Sequence, residues 1–202
     1  MPSEFQFRRM FLTTALVAPL LTALPMPAFA LTESSARDLV DRLVGDINKV
    51  IVSTKSDSSK IRDFEKIFVK YADVAIMARY AIGVDARRAS KSQMRSFTKA
   101  FQGYISRRYG KRFREFVGGR VEVKKSRKIK AGYEIRSTAY LTGQAPFEVT
   151  FLVSDKSGKS KFFNMYIEGV NLLLTERTEI GAMLDKRKGN IDQMIADLSK
   201  LS

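Results

Sequence analysis

This 202-residue chain contains neither histidine, the commonest general base, nor cysteine, and the candidates for acid–base chemistry are two of its carboxylates. Asp73 precedes a short helical segment, and Glu134 lies in an alternating segment typical of a strand. Either could serve as the base of a small-molecule isomerase or hydratase if burial raised its pKa. The more common role of an aspartate in this position is to cap the helix that follows it. Without histidine and cysteine, a zinc site and a Ser-His or Cys-His catalytic pair are excluded.

The second chemically distinctive group is a dense run of basic residues in the middle of the chain. The whole chain has a formal net charge of +15. A block of this kind predicts a polyanionic partner, such as an anionic membrane surface or an acidic protein; a face that only keeps the protein soluble is the alternative. Its members are Arg79, Arg87, Arg88, Lys91, Arg95, Lys99, Arg107, Arg108, Lys111, Arg112, Arg114, Arg120, Lys124, Lys125, Arg127, Lys128 and Lys130.

The first thirty residues have the pattern of an export signal. Arg8 and Arg9 precede the apolar run Met10–Leu24, and Ala28-Phe29-Ala30 is a small-x-small cleavage site. The run is shorter than the roughly 20 residues of a membrane-spanning helix, so cleavage after Ala30 is predicted. The arginine pair followed by Met-Phe-Leu is also similar to a twin-arginine signal, and an ordinary secretory signal is the alternative.

Either signal predicts a periplasmic protein, and this location disfavours nucleic acid as its partner. Cleavage would remove two arginines and one glutamate, so that the net charge falls from +15 to +14. The remaining residues, 31–202, have the length of a single domain with its own core. No cofactor is expected.

Amphipathic helices are predicted before the strands. Apolar residues at three-and-four spacing predict a first helix that ends near Val52 and, after the polar linker 53–60, a second helix. Asp73 can cap a short third helix that Gly83 would end. Each of these helices has one apolar face that could cover a sheet.

The longest helix is predicted from a capping box formed by Ser90 and Gln93, and extends to about Val117. After the strands, Leu172–Lys188 and a last segment capped by Asn190 are predicted to be helical. The order of elements is therefore helices, strands and helices, which is typical of an α+β domain.

Four segments between the helices alternate with the period of two that a half-buried strand requires. They are a short segment at Val121 and Val123 and the ranges 133–141, 147–153 and 161–170. Short turns separate neighbours, which predicts an antiparallel meander. We expect a curved sheet of about four strands with helices covering one face.

The last of these strands is the one around which the chain is arranged. Phe163, Met165 and Ile167 are expected on its inner face, and Gly169 allows a bulge or a close backbone approach after it. The inner face of the whole sheet is large and aromatic. Periodicity leaves two alternatives open, a fully packed core and an apolar ligand cavity of ~300–1,000 Å³.

Several short motifs, in this order and spacing, resemble the MlaC family, the toluene-tolerance auxiliary proteins of a lipid-transport system. The similarity extends from about Arg37 to Leu198, and this chain departs from the family pattern at Ala72, Ala86 and Asn171. The motifs are Tyr71-Ala72-Asp73, Met77-Ala78-Arg79-Tyr80-Ala81-Ile82-Gly83, the series Ser90, Gln93, Phe97 and Phe101, and Ile167-Glu168-Gly169-Val170-Asn171-Leu172 followed by Arg177.

The resemblance implies a periplasmic protein with a fold similar to nuclear transport factor 2. It implies a phospholipid held with its acyl chains inside and its headgroup outside, carried between an outer-membrane lipoprotein complex and an inner-membrane ABC transporter with its substrate-binding ring. It also implies transient contact with membrane surfaces. Some relatives are linked to hopanoid traffic, so cargo of that kind is an alternative.

On this interpretation the cavity is lined by apolar side chains from both layers. Arg79 and Arg177 are expected at its mouth or on a partner surface, and a basic adaptor with a solid core remains the third alternative to a carrier or an enzyme. The expected lining residues are Phe64, Phe68, Met77, Phe97, Phe101, Tyr104, Val121, Val123, Tyr133, Ile135, Val149, Phe151, Phe163, Met165, Ile167, Val170 and Leu174.

Overall fold

The computed structural model describes residues 31–110, 119–141 and 143–201, and these ranges form the predicted α+β fold. A 3-10 helix, Gly83–Arg87, follows the third α-helix. The α-helices are α1 (Glu33–Ile51), α2 (Asp57–Tyr71), α3 (Val74–Ile82), α4 (Lys91–Gly110), α5 (Leu172–Lys186) and α6 (Ile191–Lys200); the strands are β1 (Arg120–Ile129), β2 (Gly132–Tyr140), β3 (Phe147–Ser154), β4 (Lys161–Ile167) and β5 (Val170–Asn171).

The sheet is an antiparallel meander in the order β1-β2-β3-β4-β5. It has five strands rather than about four, because the two-residue β5 pairs with β4. The first strand is also much longer than the predicted short segment and continues through the lysine-rich stretch to Ile129. Lysines suit this position, because charged side chains protect an edge strand from pairing with another chain.

A bulge in β4 changes which aromatic ring faces inward. Val153 pairs with Phe162 while Leu152 pairs with Asn164, so Phe163 is left without a partner on β3. Phe162 is consequently buried, and its ring lies 5.8 Å from that of Phe151 in an edge-on arrangement. The expectation that Phe163 belongs to the inner face is therefore wrong.

A tight turn joins β4 to β5 at one end of the sheet. Glu168 and Gly169 both have positive φ, 49° and 77°, as a two-residue hairpin of the twist-matched kind requires. Gly169 thus forms a turn rather than a bulge. The loop between β2 and β3 lies at the same end, and we call this end, with its loop and turn, the upper end of the sheet. The β1–β2 and β3–β4 turns lie at the lower end.

The helix starts follow the predicted capping signals. The Asp73 carboxylate accepts the Ile76 N–H at 3.1 Å. Ser90 and Gln93 form the reciprocal capping box, with N···O distances of 2.9 and 3.1 Å. Asn190 caps α6 by accepting the Gln193 N–H at 3.0 Å. The predicted extension of the fourth helix to Val117 falls on residues 111–118, outside the described ranges.

Helices cover the inner face of the sheet in two groups. The first helix lies across β1, β2 and β3, and α2 packs beside both α1 and α4. At the other side α3 packs against α4 and α5, and α6 packs along α4. Within the described ranges, no helix is both long enough and apolar enough to cross a bilayer.

A carboxylate fastens α1 to the end of α2. Asp46 accepts the Tyr71 hydroxyl at 2.7 Å, the Lys70 ammonium at 2.9 Å and the Lys49 ammonium at 3.3 Å. The bond from Lys70, followed by that from Tyr71, lowers the pKa of Asp46 from 3.8 to about 2. Because both donors prefer the charged carboxylate, this contact holds the two helices together above pH 4.

We expect the Asp46 contact to contribute to acid stability. A pKa lowered on folding gives stability that is present above the unfolded value of about 3.9 and is lost as pH falls towards 2. The contribution is about 1 kcal/mol, because the side chain is partly exposed and solvent screens the pair. Urea unfolding at several pH values should therefore show a shallower acid loss in Asp46→Asn. The exposed Asp41→Asn on the same helix is the control, and equal behaviour of the two variants would contradict the assignment.

Candidate functional site

An apolar cavity of about 440 Å³ lies between the inner face of the sheet and helices α1, α2, α3 and α4, with the first residue of α5 also in its wall. Its volume is within the ~300–1,000 Å³ usual for a ligand pocket. The two faces that the sequence predicts to be apolar therefore do not interlock completely. The space between them is larger than the methyl-sized voids of a packed core.

Eight of the expected side chains line this cavity, and they come from both layers. Helices α2 and α3 supply three of them and the sheet supplies five. The eight are Phe64, Phe68, Met77, Val121, Val149, Phe151, Met165 and Ile167. Whether they contact a ligand stays a prediction.

The other nine expected residues lie outside the cavity wall, and the packing explains why. On α4, Phe97, Phe101 and Tyr104 are buried in the hydrophobic core, with the Phe97 and Phe101 rings 5.9 Å apart, so these side chains belong to solid core. The three expected residues on β1 and β2 lie outside the wall, on strands that α1 crosses. The nine are Phe97, Phe101, Tyr104, Val123, Tyr133, Ile135, Phe163, Val170 and Leu174.

Val170 and Leu174 depart furthest from expectation, because they are 61% and 53% exposed. The turn at Glu168 and Gly169 leads into the two-residue edge strand β5, and α5 begins directly after it. Val170 and Leu174 therefore face solvent, while Leu172 lies in the cavity wall.

The wall also contains residues that the sequence analysis did not assign to it. The apolar side chains on one face of α1 were visible as helical periodicity, but an apolar face of that kind is also typical of a helix packed on an ordinary core. Phe162 had no such signal, since its position depends on the bulge. The additional residues are Leu43, Val44, Ile47, Ile67, Ile105, Ser106, Tyr109, Gly110, Leu141, Gln144, Ala145, Phe147, Phe162, Glu168 and Leu172.

The cavity meets solvent at the upper end of the sheet. Gln144 and Ala145, in the β2–β3 loop, and Glu168, in the β4–β5 turn, are the exposed members of its wall. Deeper in the cavity the wall is almost entirely hydrocarbon. A ligand with an apolar body and a polar end would thus fit with the polar end at this opening.

A buried polar cluster lies behind one wall of the cavity. Tyr109 lines the cavity and donates its hydroxyl to Glu176 Oε1 at 2.6 Å. Arg108 Nε lies 3.4 Å from the same oxygen, and another guanidinium nitrogen donates to the Tyr104 hydroxyl at 2.6 Å. Glu176 is fully buried, and its Oε2 has no hydrogen-bond partner among the described residues.

Burial raises the pKa of both tyrosines in this cluster, and the nearby Glu176 carboxylate raises them further. Both hydroxyls are therefore protonated at neutral pH and available as donors. Since Glu176 itself does not line the cavity, the cluster supports the wall rather than facing a ligand.

The two carboxylates considered for an isomerase or hydratase do not meet its requirements. Asp73 caps α3, and neither it nor Glu134 lines the cavity. Glu134 pairs with Arg127 and Arg136 at 2.7 and 2.8 Å, and the bond from Arg127 is the main reason that its pKa is lowered rather than raised. The described part of the chain also contains no group of carboxylates suited to a metal ion.

Comparison with known proteins identifies the family. The family model described as MlaC protein matches residues 37–200, well over half of the chain. The chain belongs to the MlaC family. This confirms the resemblance seen in the sequence motifs, including their extent along the chain. No curated protein matches the chain.

The MlaC-family chain also has a fold similar to a solved structure, that of a phospholipid-binding protein from Ralstonia solanacearum in complex with a phospholipid. The TM-score is 0.68, and the match covers 82% of this chain and 99% of that chain. At 20% sequence identity, the likeness shows a common fold.

Two departures from the MlaC pattern have a structural role here. Asn171, where the family usually has serine, accepts the Leu174 N–H at 3.1 Å and so caps α5. It also accepts a hydrogen bond from Asn164 of β4 at 3.1 Å, which ties the helix to the sheet. Ala72 is buried and forms a backbone bridge to Phe162.

Proposed function

We propose that this protein is a periplasmic carrier that binds a phospholipid by its acyl chains. It would pass the lipid between an outer-membrane lipoprotein complex and an inner-membrane ABC transporter with its substrate-binding ring. The observation that carries the proposal is the apolar cavity of about 440 Å³ that opens at the upper end of the sheet. Membership of the MlaC family and the phospholipid complex of the Ralstonia solanacearum protein support it.

The energetics of the cavity suit a carrier. Each buried CH₂ is worth about 0.8 kcal/mol, so two acyl chains represent roughly 20–25 kcal/mol of transfer from water. Free phospholipid therefore crosses an aqueous gap very slowly. A hydrocarbon-walled cavity exchanges one apolar surrounding for another, so that loading from a bilayer and release into one are both close to balanced.

The proposal is tested by asking what the purified protein contains. The chain starting at Leu31 would be prepared from bacteria without detergent, extracted with organic solvent and examined by mass spectrometry. We expect phospholipid at close to one molecule per protein. A folded protein without lipid would overturn the proposal and favour the basic adaptor, whereas a hopanoid-type lipid would replace phospholipid as the cargo.

We further propose that the chain is exported and cleaved after Ala30. The backbone N–H of Leu31 donates to Asp155 Oδ2 at 2.9 Å, and the Leu31 side chain packs against the core. After cleavage, this nitrogen would be the new N-terminal ammonium. The hydrogen bond would then be an ion pair, and charge-assisted bonds are stronger than neutral ones.

Asp155→Asn should therefore cost more stability in the processed chain than in an unprocessed one. We expect a loss of up to about 1 kcal/mol when the chain begins at Leu31, as for partly exposed ion pairs. The comparison is a chain with one additional methionine before Leu31, in which this nitrogen is a neutral amide. Urea unfolding of the four proteins measures the difference, and an equal loss in both backgrounds would contradict the ion pair.

A further inference from the structure

Five exposed apolar side chains lie on α3, on the 3-10 helix that follows it, on β5 and at the start of α5. Their exposure runs from 38% for Ile76 to 64% for Val84. Scattered single apolar residues are ordinary on a protein surface, but a group of them on adjoining elements marks a site of interaction. We call the group Ile76, Tyr80, Val84, Val170 and Leu174, with the guanidinium groups of Arg79 and Arg177, the α3–α5 face.

Helical spacing and one cation–ring contact connect four members of this face. Ile76 and Tyr80 are four residues apart on α3, and Leu174 and Arg177 are three apart on α5, so each pair shares a helix face. The Arg177 guanidinium carbon lies 5.5 Å from the centre of the Tyr80 ring and so joins the two helices. Gly83 adjoins the same group, since a Cβ there would lie 3.1 Å from Arg177 Nε.

The charge on this face is positive. Arg79 is exposed, three residues after Ile76. Within the described part of the chain, neither Arg79 nor Arg177 has a carboxylate within ion-pair distance. Neither guanidinium is thus neutralised by a described carboxylate, and the exposed one, Arg79, is accessible to an external anion beside side chains that gain free energy on leaving water.

The α3–α5 face adjoins the opening of the cavity. Val170 follows the Glu168–Gly169 turn directly, and Glu168 is an exposed member of the cavity wall. Leu172 of the wall lies between Val170 and Leu174 in sequence, so the chain alternates between cavity and face here. A surface that contacted this face would therefore lie close to the route into the cavity.

We propose that the α3–α5 face docks the protein on an anionic phospholipid membrane. Aliphatic and tyrosine side chains insert at the boundary between headgroups and acyl chains, while arginine can reach the phosphates with its apolar stem along the same boundary. The combination of exposed apolar groups with two unpaired cations matches this boundary, which is apolar on one side and anionic on the other. The inference extends the proposed carrier function, and its test is independent of cargo binding.

The test is vesicle flotation of the chain that starts at Leu31. We expect binding to vesicles of phosphatidylethanolamine with phosphatidylglycerol, weak binding to phosphatidylcholine, and loss of binding at about 1 M salt, where the Debye length is about 3 Å. Arg79→Glu removes one positive charge and adds a negative one. At about 1 kcal/mol per charge near an anionic surface, partitioning should fall about thirtyfold. Leu174→Asp should reduce it at least tenfold.

Controls separate this face from the general positive charge of the protein. Lys130→Glu makes the same charge change at the turn between β1 and β2, at the lower end of the sheet, and Leu201→Asp makes the same polar change at the end of α6. Both should bind vesicles within about threefold of the unmodified protein, a loss well below that for a charge reversal in contact with the surface. The phospholipid content of each variant, measured by mass spectrometry, shows whether cargo binding is retained.

The outcomes are distinct. Loss of vesicle binding in Arg79→Glu and Leu174→Asp, but not in the controls, supports docking by this face. Equal losses in all four variants would indicate unspecific charge attraction and overturn the proposal. Vesicle binding that is absent in the unmodified protein would also overturn it, and would favour a protein partner for this face. Empty but vesicle-binding protein would overturn the carrier function while leaving the docking face intact.

Discussion

The Met165→Trp variant should retain several-fold less phospholipid than the unmodified protein when both are purified without detergent. Met165 lies in the cavity wall, directly paired with Phe151 on the neighbouring strand. An indole at this position would occupy part of the 440 Å³ that the acyl chains need. Because the new ring would project into the cavity, its cost to stability should stay below the about 1–3 kcal/mol typical of overpacking a solid core.

The bulge in β4 provides a matched control for this substitution. Phe163→Trp enlarges a side chain two residues earlier on the same strand, but one that lies outside the cavity wall. It should leave the recovered phospholipid near the level of the unmodified protein. Mass spectrometry of solvent extracts measures both variants, and circular dichroism verifies their folding. If Phe163→Trp lost the lipid and Met165→Trp kept it, the described register of β4 would be wrong.

Glu176→Ala should be the most destabilising single change in the polar cluster, with an expected loss of about 2–3 kcal/mol. Removing one partner of a buried ion pair costs about 3–5 kcal/mol when the other charge stays buried. Arg108 is 39% exposed and can be rehydrated, which places the expected loss below that range. The Tyr109 hydroxyl would also lose its acceptor, and an unsatisfied buried hydroxyl is costly.

Urea unfolding followed by circular dichroism measures this loss. Glu179→Ala, an exposed position on the same helix, is the control and should change stability by less than about 0.5 kcal/mol. The less disruptive Tyr109→Phe keeps the ring in the cavity wall but removes the hydroxyl that binds Glu176. It should therefore keep the cavity and lower the stability of the protein by less than Glu176→Ala does. If Glu176→Ala were as stable as the control, the cluster would contribute nothing to holding α5 against α4.

Local signals in the sequence predicted the elements well, because caps and turns are decided by neighbouring residues. Asp73, Ser90, Gln93 and Asn190 cap the helices that their side chains indicated. The order of helices and strands then specified the fold class, since sequential strands with short turns form a meander. These inferences need no knowledge of distant contacts.

The division between cavity and core was not predictable in the same way. Phe97 and Phe64 are both buried aromatic residues on amphipathic helices, yet one is in solid core and the other is in the cavity wall. The difference depends on how far each helix stands from the sheet, which periodicity does not encode. The sequence also did not show that Phe162 rather than Phe163 faces inward, because the bulge responsible is a property of two paired strands.

The cavity has its exposed wall residues, Gln144, Ala145 and Glu168, at one end of the sheet, while the contact between Leu31 and Asp155 lies at the other. For the proposed carrier, lipid would enter and leave at this end, where the described wall residues are exposed. A donor and an acceptor would then compete for the same end of the molecule. Transport would then proceed in alternating steps, in which the protein dissociates from the donor before it binds the acceptor.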